Sequence, residues 1–190
     1  MGGQFNRPTA GALLVAAGAA WVIKAMVIIT TGQQPDLLFQ TGLIVCAVGL
    51  YMLLSGFQGP RRVLTILGAA AAGAAFAATG AAVVMEIVPG AQISRGDAFV
   101  FPFSALVLLG GVGVFIAMVA LGIAYYNPGQ PFRWTVIPLF AALMPAPAAL
   151  TGFIHAEFPI LLIGLSWATA GAVIAVRETE KSSLAGNTGP

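Results

Sequence analysis

Charged residues are scarce in this sequence. Only 7% of the 190 residues are Asp, Glu, Lys or Arg, whereas soluble domains carry about a quarter, which cover their surfaces. Hydrophobic residues make up 59% of the chain, and the mean hydropathy is +0.96. This balance excludes a soluble domain and predicts an integral membrane protein.

Cysteine and histidine are almost absent as well. Cys46 is the single cysteine and His155 the single histidine, too few ligands for a zinc site, and no apolar run contains a histidine that could bind haem. His155 and the nearby Glu157 are interpreted as a polar loop. We therefore expect no metal, no cofactor and no catalytic residue.

Long apolar runs take the place of polar sequence. A helix needs about 20 mostly apolar residues to cross the roughly 30 Å hydrocarbon layer. Six windows meet this requirement: 10–30, 38–56, 63–88, 103–125, 134–153 and 158–176. The runs lack the two-residue alternation of membrane strands. The sequence thus predicts an all-α polytopic membrane protein, with a compact bundle of six transmembrane helices in one domain (1–181) and a flexible tail (182–190).

Basic residues between the predicted spans fall almost entirely on one side of the membrane when the six spans are arranged in chain order. Arg95 is the exception, and six residues share the side of the N-terminus: Arg7, Arg61, Arg62, Arg133, Arg177 and Lys181. Because basic loops stay in the cytoplasm, both termini are predicted to be cytoplasmic, in the cell membrane. The sequence carries no basic stripe for nucleic acid. The expected partners are the lipid bilayer and either other membrane proteins or further copies of the chain.

Small residues are concentrated in three of the predicted spans. In the third span, Ala69, Gly73, Ala77 and Ala81 recur every four residues, and such a face lets a neighbouring backbone approach closely. We expect this span at the centre of the bundle. The same device recurs in the fourth span (Gly110, Gly111, Gly113, Ala117) and the sixth (Gly164, Ala168). Packing within one chain is favoured over an oligomer interface or a gating surface.

Acidic residues lie mainly where helices are predicted to begin. Asp36, Asp97 and Glu157 each lie at or just before the start of a span, where a carboxylate caps free amides and meets the positive end of the helix dipole. Glu86 instead lies where the third span ends, so it needs another partner.

Lys24 is the predicted partner of Glu86. It lies within the first span, six residues before Thr30, and its flexible stem can reach towards the membrane surface. Lysine is costly in a span and often functional there, so a structural ion pair and a solute-binding or proton-linked role both stay open. Trp21, one turn earlier, is expected to pack in the core, with a cation–π contact to Lys24 as the alternative.

Prolines interrupt the fifth predicted span. Pro138, Pro145 and Pro147 each remove a backbone donor. Broken helices of this kind line binding sites in transporters, but proline kinks buried in protein are also common. A plain kink is favoured, and a cavity-lining break is the alternative.

Three functional classes are compatible with this pattern. The favoured one is a non-enzymatic accessory or assembly subunit that packs against larger membrane partners, because every loop is short and the spans hold little chemistry. The alternative is a small oligomeric transporter or channel for a small solute, with Lys24 and the Pro145/Pro147 break near the pathway. The charge of Lys24 would favour an anionic solute there. The least favoured is an enzyme that acts on a lipid with His155 and Glu157 as acid and base.

Overall fold

Five long helices dominate the part of the chain that the structure describes. The computed structural model describes residues 7–33, 36–57, 61–89, 93–95, 98–125 and 157–186. The helices are α1 (Arg7–Thr31), α2 (Asp36–Ser55), α3 (Arg62–Ile87), α4 (Phe103–Tyr125) and α5 (Phe158–Gly186). All five are long and apolar enough to cross a membrane, which confirms the helical, membrane-type character. The fifth predicted span, 134–153, lies outside the described residues.

Lipid favours helices over other structure because the backbone must satisfy its own hydrogen bonds there. Where the apolar run of α1 stops, Gly32 adopts a positive φ of 70°. Its amide donates to the carbonyl of Ile28 at 2.9 Å, an arrangement that ends a helix and that glycine adopts without steric cost. The first helix therefore ends where its apolar run ends.

Sequence neighbours pack antiparallel. Gly42 of α2 lies against Trp21 of α1, and Gly49 lies against Leu14, so the two helices run in opposite directions. α2 packs against α1, α3 and α4, whereas α5 packs against α1. Half of the apolar window of α2 is buried, compared with a third of that of α3. The expectation that the third span lies at the centre is wrong for the described helices, because α2 takes that place.

The buried face of α3 differs from the predicted one. Its buried positions are Thr65, Gly68, Ala69, Ala72, Ala75, Ala78, Thr79 and Ala82. Of the predicted face only Ala69 is buried, while Ala77 and Ala81 are exposed. The prediction failed because nearly every residue in this stretch is Ala or Gly, so four-residue spacing occurs on several sides of the helix.

The small residues of α4 do pack against α3, as predicted. Gly110 lies against the side chain of Thr79, and a Cβ added to Gly113 would come within 2.8 Å of the carbonyl oxygen of Ala71. Ala117 is fully buried. Gly111 differs, since no neighbouring heavy atom lies within 4 Å of the position of its missing Cβ.

Glycines also hold α1 against α5. A Cβ on Gly11 would lie 2.6 Å from the carbonyl oxygen of Gly171. One heptad away, Gly18 and Gly164 meet in the same way, each with the other's carbonyl oxygen as a neighbour. Such contacts bring two backbones together, and in lipid this close approach is a main source of helix association. The pairs also show that α5 runs antiparallel to α1.

These directions define two ends of the bundle. At the proximal end α1 and α3 begin and α2, α4 and α5 end; at the distal end the reverse holds. At the proximal end the guanidinium of Arg61 donates to the carbonyl of Ile123, where a cation meets the negative end of the α4 dipole. At the distal end, Asp36 and Glu157 lie at helix starts and Glu86 lies near a helix end, as predicted.

A short hairpin lies in the connection between α3 and α4. β1 (Ser94–Arg95) and β2 (Ala98–Phe99) pair antiparallel, with Ser94 opposite Phe99. The all-α prediction holds for the described spans, and this hairpin lies between two of them. A two-residue Gly-Asp connection between the pairing residues is a known hairpin signal, which hydropathy does not detect.

The last helix is longer than its apolar run. α5 continues to Gly186, ten residues beyond the predicted end at 176, and includes the first five residues of the predicted tail (182–190). Glu178, Glu180 and Lys181 follow the apolar run, and these residue types favour helix in water. Hydropathy located the membrane-crossing part of the helix but not the end of the helix.

The contact between α1 and α5 can be tested with two adjacent substitutions. Gly18→Val should push the α5 backbone away and lower stability by about 1–3 kcal/mol, as overpacking does. Ala19→Val adds the same kind of bulk at an exposed position of the same helix and should change little. Thermal unfolding in detergent measures both, and equal melting temperatures would contradict the proposed role of Gly18.

Candidate functional site

Lys24 is buried in the protein. Its side chain is 7% exposed, seven residues before the end of α1 at Thr31, or roughly 10 Å from the distal end at 1.5 Å per residue. A cation at such a depth is costly and needs stabilising contacts. Lys24 and the residues around it therefore form the candidate functional site.

One contact of Lys24 is the ring of Phe39 on α2. The Nζ atom lies 4.7 Å from the ring centroid, within the range at which an ammonium is attracted to the face of an aromatic ring. The alternative of a cation–π contact between Lys24 and Trp21 stays a prediction. Trp21 does lie in the core, as expected, with 4% of its surface exposed.

Trp21 fixes the position of Phe39. The two rings stack with their centroids 6.2 Å apart and an angle of 28° between their planes. The indole Nε1 donates to the backbone carbonyl of Phe39 at 3.2 Å. Gly42 lies one turn further along α2, against the indole ring, where a larger residue would displace it. The turn of α1 from Trp21 to Lys24 thus packs against the first turns of α2.

An apolar cavity adjoins this cluster. Its volume is about 170 Å³, and four helices line it: α1 with Trp21, α2 with Phe39 and Leu43, α4 with Gly111, Val114, Phe115 and Met118, and α5 with Ile160 and Ile163. Gly111 leaves space because it has no side chain. The cavity lies between α4 and α5, beside the lysine–phenylalanine contact.

The buried polar atoms without a hydrogen-bond partner in the described part of the chain include Oε1 of Gln40, Oγ1 of Thr79 and Nε1 of Trp167. The three residues are at most 3% exposed, and most buried polar groups in proteins are paired. Their positions on α2, α3 and α5 put unpaired polarity on three helices around the same core.

The predicted partner of Lys24 lies on a different helix. Glu86 is the residue before the last of α3 and is half-buried. Both groups lie towards the distal end, on helices that pack against α2. The ion pair between them stays a prediction.

The remaining predicted residues are divided between described and undescribed segments. Glu157 directly precedes α5, and its carbonyl accepts the amide of Leu161 at 3.0 Å, as expected of a residue that begins a helix. His155, Pro145 and Pro147 lie outside the described residues. Within the described ranges, no group of three or more His, Cys, Asp or Glu residues could hold a metal ion.

The sequence pattern indicated Lys24 but not Phe39 or Gly42. It indicated close helix packing at Gly111, where the structure has open space. Phe39 carries no signal, because one apolar residue among many does not reveal which ring faces a lysine 15 positions earlier. The sequence shows that Gly42 and Gly111 have no side chains. Only the helix packing shows that Trp21 fills the space beside Gly42 and that the space beside Gly111 stays open.

Comparisons with protein-family models, with curated proteins and with solved structures find no match to this chain. Function has to be inferred from the chemistry of its residues.

The contact between Lys24 and Phe39 can be measured by a double-mutant cycle. We expect Lys24→Met and Phe39→Leu to be coupled by about 0.5–2 kcal/mol in detergent unfolding, the range of cation–π contacts from exposed to desolvated.

A cycle of Lys24→Met with Glu86→Gln tests the ion pair in the same way, with recovery of stability in the double variant as the expected result. Strictly additive effects would contradict the corresponding contact.

Proposed function

We propose that this chain is a non-enzymatic integral membrane subunit with six membrane crossings, which packs against a larger membrane partner through an exposed face of α3. Two independent observations support this proposal. One concerns the path of the chain through the membrane, and the other concerns the surface of α3.

The path follows from the helix directions. α4 ends at the proximal end with Tyr125, and α5 begins at the distal end with Phe158. We infer that the chain between them returns across the membrane, since the apolar run 134–153 is long enough for one crossing. Six crossings put both termini on the same side.

The distribution of cations supports a cytoplasmic location for that side. Arg7, Arg61 and Arg62 lie at the proximal end, and Arg95 lies in the hairpin at the distal end. Since positively charged loops are retained in the cytoplasm, the proximal end faces the cytoplasm and the distal end faces outwards.

The observation that carries the functional proposal is the exposed small-residue face of α3. Its members are Ala70, Ala74, Ala77 and Ala81, all exposed in the middle of the helix. Small residues in lipid allow another helix to approach closely. The face lies on the side of α3 away from α2 and α4.

The exposed surface of α4 provides the contrast. Its outward residues are large, among them Leu108, Leu109, Phe115 and Ile116, as suits contact with lipid chains. The middle of α3, between positions 68 and 82, exposes alanine apart from Phe76, whereas the two ends of α3 expose large residues such as Leu67 and Val84. We infer that α4 faces lipid and that the small-residue face of α3 receives a partner helix.

Complex formation tests this proposal. In mild detergent extracts of native membranes, the chain should migrate with a mass well above its 19.3 kDa and together with a different protein. Ala77→Trp should release it, because the bulky ring blocks close approach, whereas Ile116→Trp on the exposed face of α4 should leave the complex intact. Migration as a monomer or as copies of itself alone would overturn the accessory role.

Transport is the second candidate, favoured by the buried Lys24 and by the unpaired Oε1 of Gln40 and Oγ1 of Thr79. Polar groups that lie inside a membrane bundle often mark a pathway for an ion or solute. A cation there favours an anionic solute.

A flux assay separates this candidate from the first. If the chain is a transporter, the purified protein should move small carboxylate or inorganic anions into liposomes, and Lys24→Met should abolish this flux at unchanged expression. Lys24→Arg keeps the charge and should retain flux. Liposomes that leak no faster with the protein than without it would rule transport of these anions out.

A further inference from the structure

We propose that the cavity between α4 and α5 binds one acyl chain of an anionic membrane phospholipid, with Lys24 near the headgroup end. The proposal needs the helices to lie in a membrane but is independent of the accessory and transport roles. It combines the depth of the cavity, its lining and the position of the lysine.

Depth is the first argument. Phe39 lies three residues from the start of α2, and Met118 lies 15 residues into α4. These two helices start at the same level, because Gly68 lies against both Leu54 and Ala120, which follow the two starts by 18 and 17 residues. At 1.5 Å per residue, the lining extends from roughly 5 Å to roughly 22 Å below the distal end. The cavity is therefore elongated along the helices, in the direction in which lipid chains lie.

The lining is the second argument. Every lining residue is apolar or aromatic, apart from the indole nitrogen of Trp21, which already donates to Phe39. An enclosed apolar cavity of about 150 Å³ takes up hydrocarbon such as benzene. This cavity measures about 170 Å³ and is partly open to the surroundings. Part of an acyl chain suits its size and chemistry, whereas a free phosphate would find no ligand inside.

The charge of Lys24 is the third argument. Its Nζ lies over Phe39, the lining residue on α2 nearest the distal end, so the cation is at the end of the cavity where a headgroup would lie. Lysine side chains at such depths reach towards the interface. An anionic headgroup complements this charge better than a zwitterionic headgroup does.

Quenching of Trp21 fluorescence tests the proposal. In the background Trp134→Phe/Trp167→Phe, Trp21 is the single tryptophan, and annular lipid scarcely reaches it because it is 4% exposed. Contact with bromine quenches tryptophan. The protein is reconstituted in vesicles with brominated acyl chains on either phosphatidylglycerol or phosphatidylcholine at equal mole fraction.

We expect at least two-fold stronger quenching by brominated phosphatidylglycerol. Lys24→Met should remove the difference between the two lipids, and Lys24→Arg should keep it. Gly111→Leu fills the cavity at a position with open space and should lower quenching by both lipids, whereas Val112→Leu, at the exposed neighbouring position, should not.

Two results would overturn the proposal. Equal quenching by both lipids in the protein with Lys24 intact would show that the cavity does not select a lipid with an anionic headgroup. Absence of quenching by either lipid would mean that lipid does not enter and that another occupant, such as residues 134–153 of the same chain, excludes it.

Discussion

Close contact between helix backbones at glycine and alanine is the interaction on which this structure depends. In lipid there is little hydrophobic drive between helices, so association relies on packing at short distance. Gly11 and Gly18 of α1 meet Gly171 and Gly164 of α5, and Gly113 of α4 meets the backbone of α3. These contacts set which helices are neighbours and which faces point outwards.

The polar groups inside the bundle depend on that packing. Lys24 is stabilised over Phe39 because Trp21 and Gly42 hold α1 and α2 in register. The same register leaves a cavity where Gly111 has no side chain to fill it. The bundle thus combines tight glycine contacts between α1 and α5 with open apolar space beside Trp21 and Gly111.

Much of the fold could be predicted from the sequence because hydropathy is a local property. Each described span matched a run of apolar residues, and the positions of Asp36, Glu86 and Glu157 at helix ends followed from the same runs. The prediction failed where it needed a choice between equivalent faces, as at Ala77 and Ala81 of α3. It also did not include the hairpin that pairs Arg95 with Ala98, because hydropathy does not detect turn signals.

The sequence by itself determined that apolar helices would form and that Lys24 would be an unusual charge among them, because the cost of exposing backbone or charge to lipid depends on composition alone. Only the tertiary structure decided that the ring under Lys24 belongs to Phe39, that α2 is the central helix of the described bundle, and that a cavity opens beside Gly111. Those features depend on distances between residues on different helices, and a one-dimensional pattern of small and apolar residues leaves several such arrangements equally acceptable.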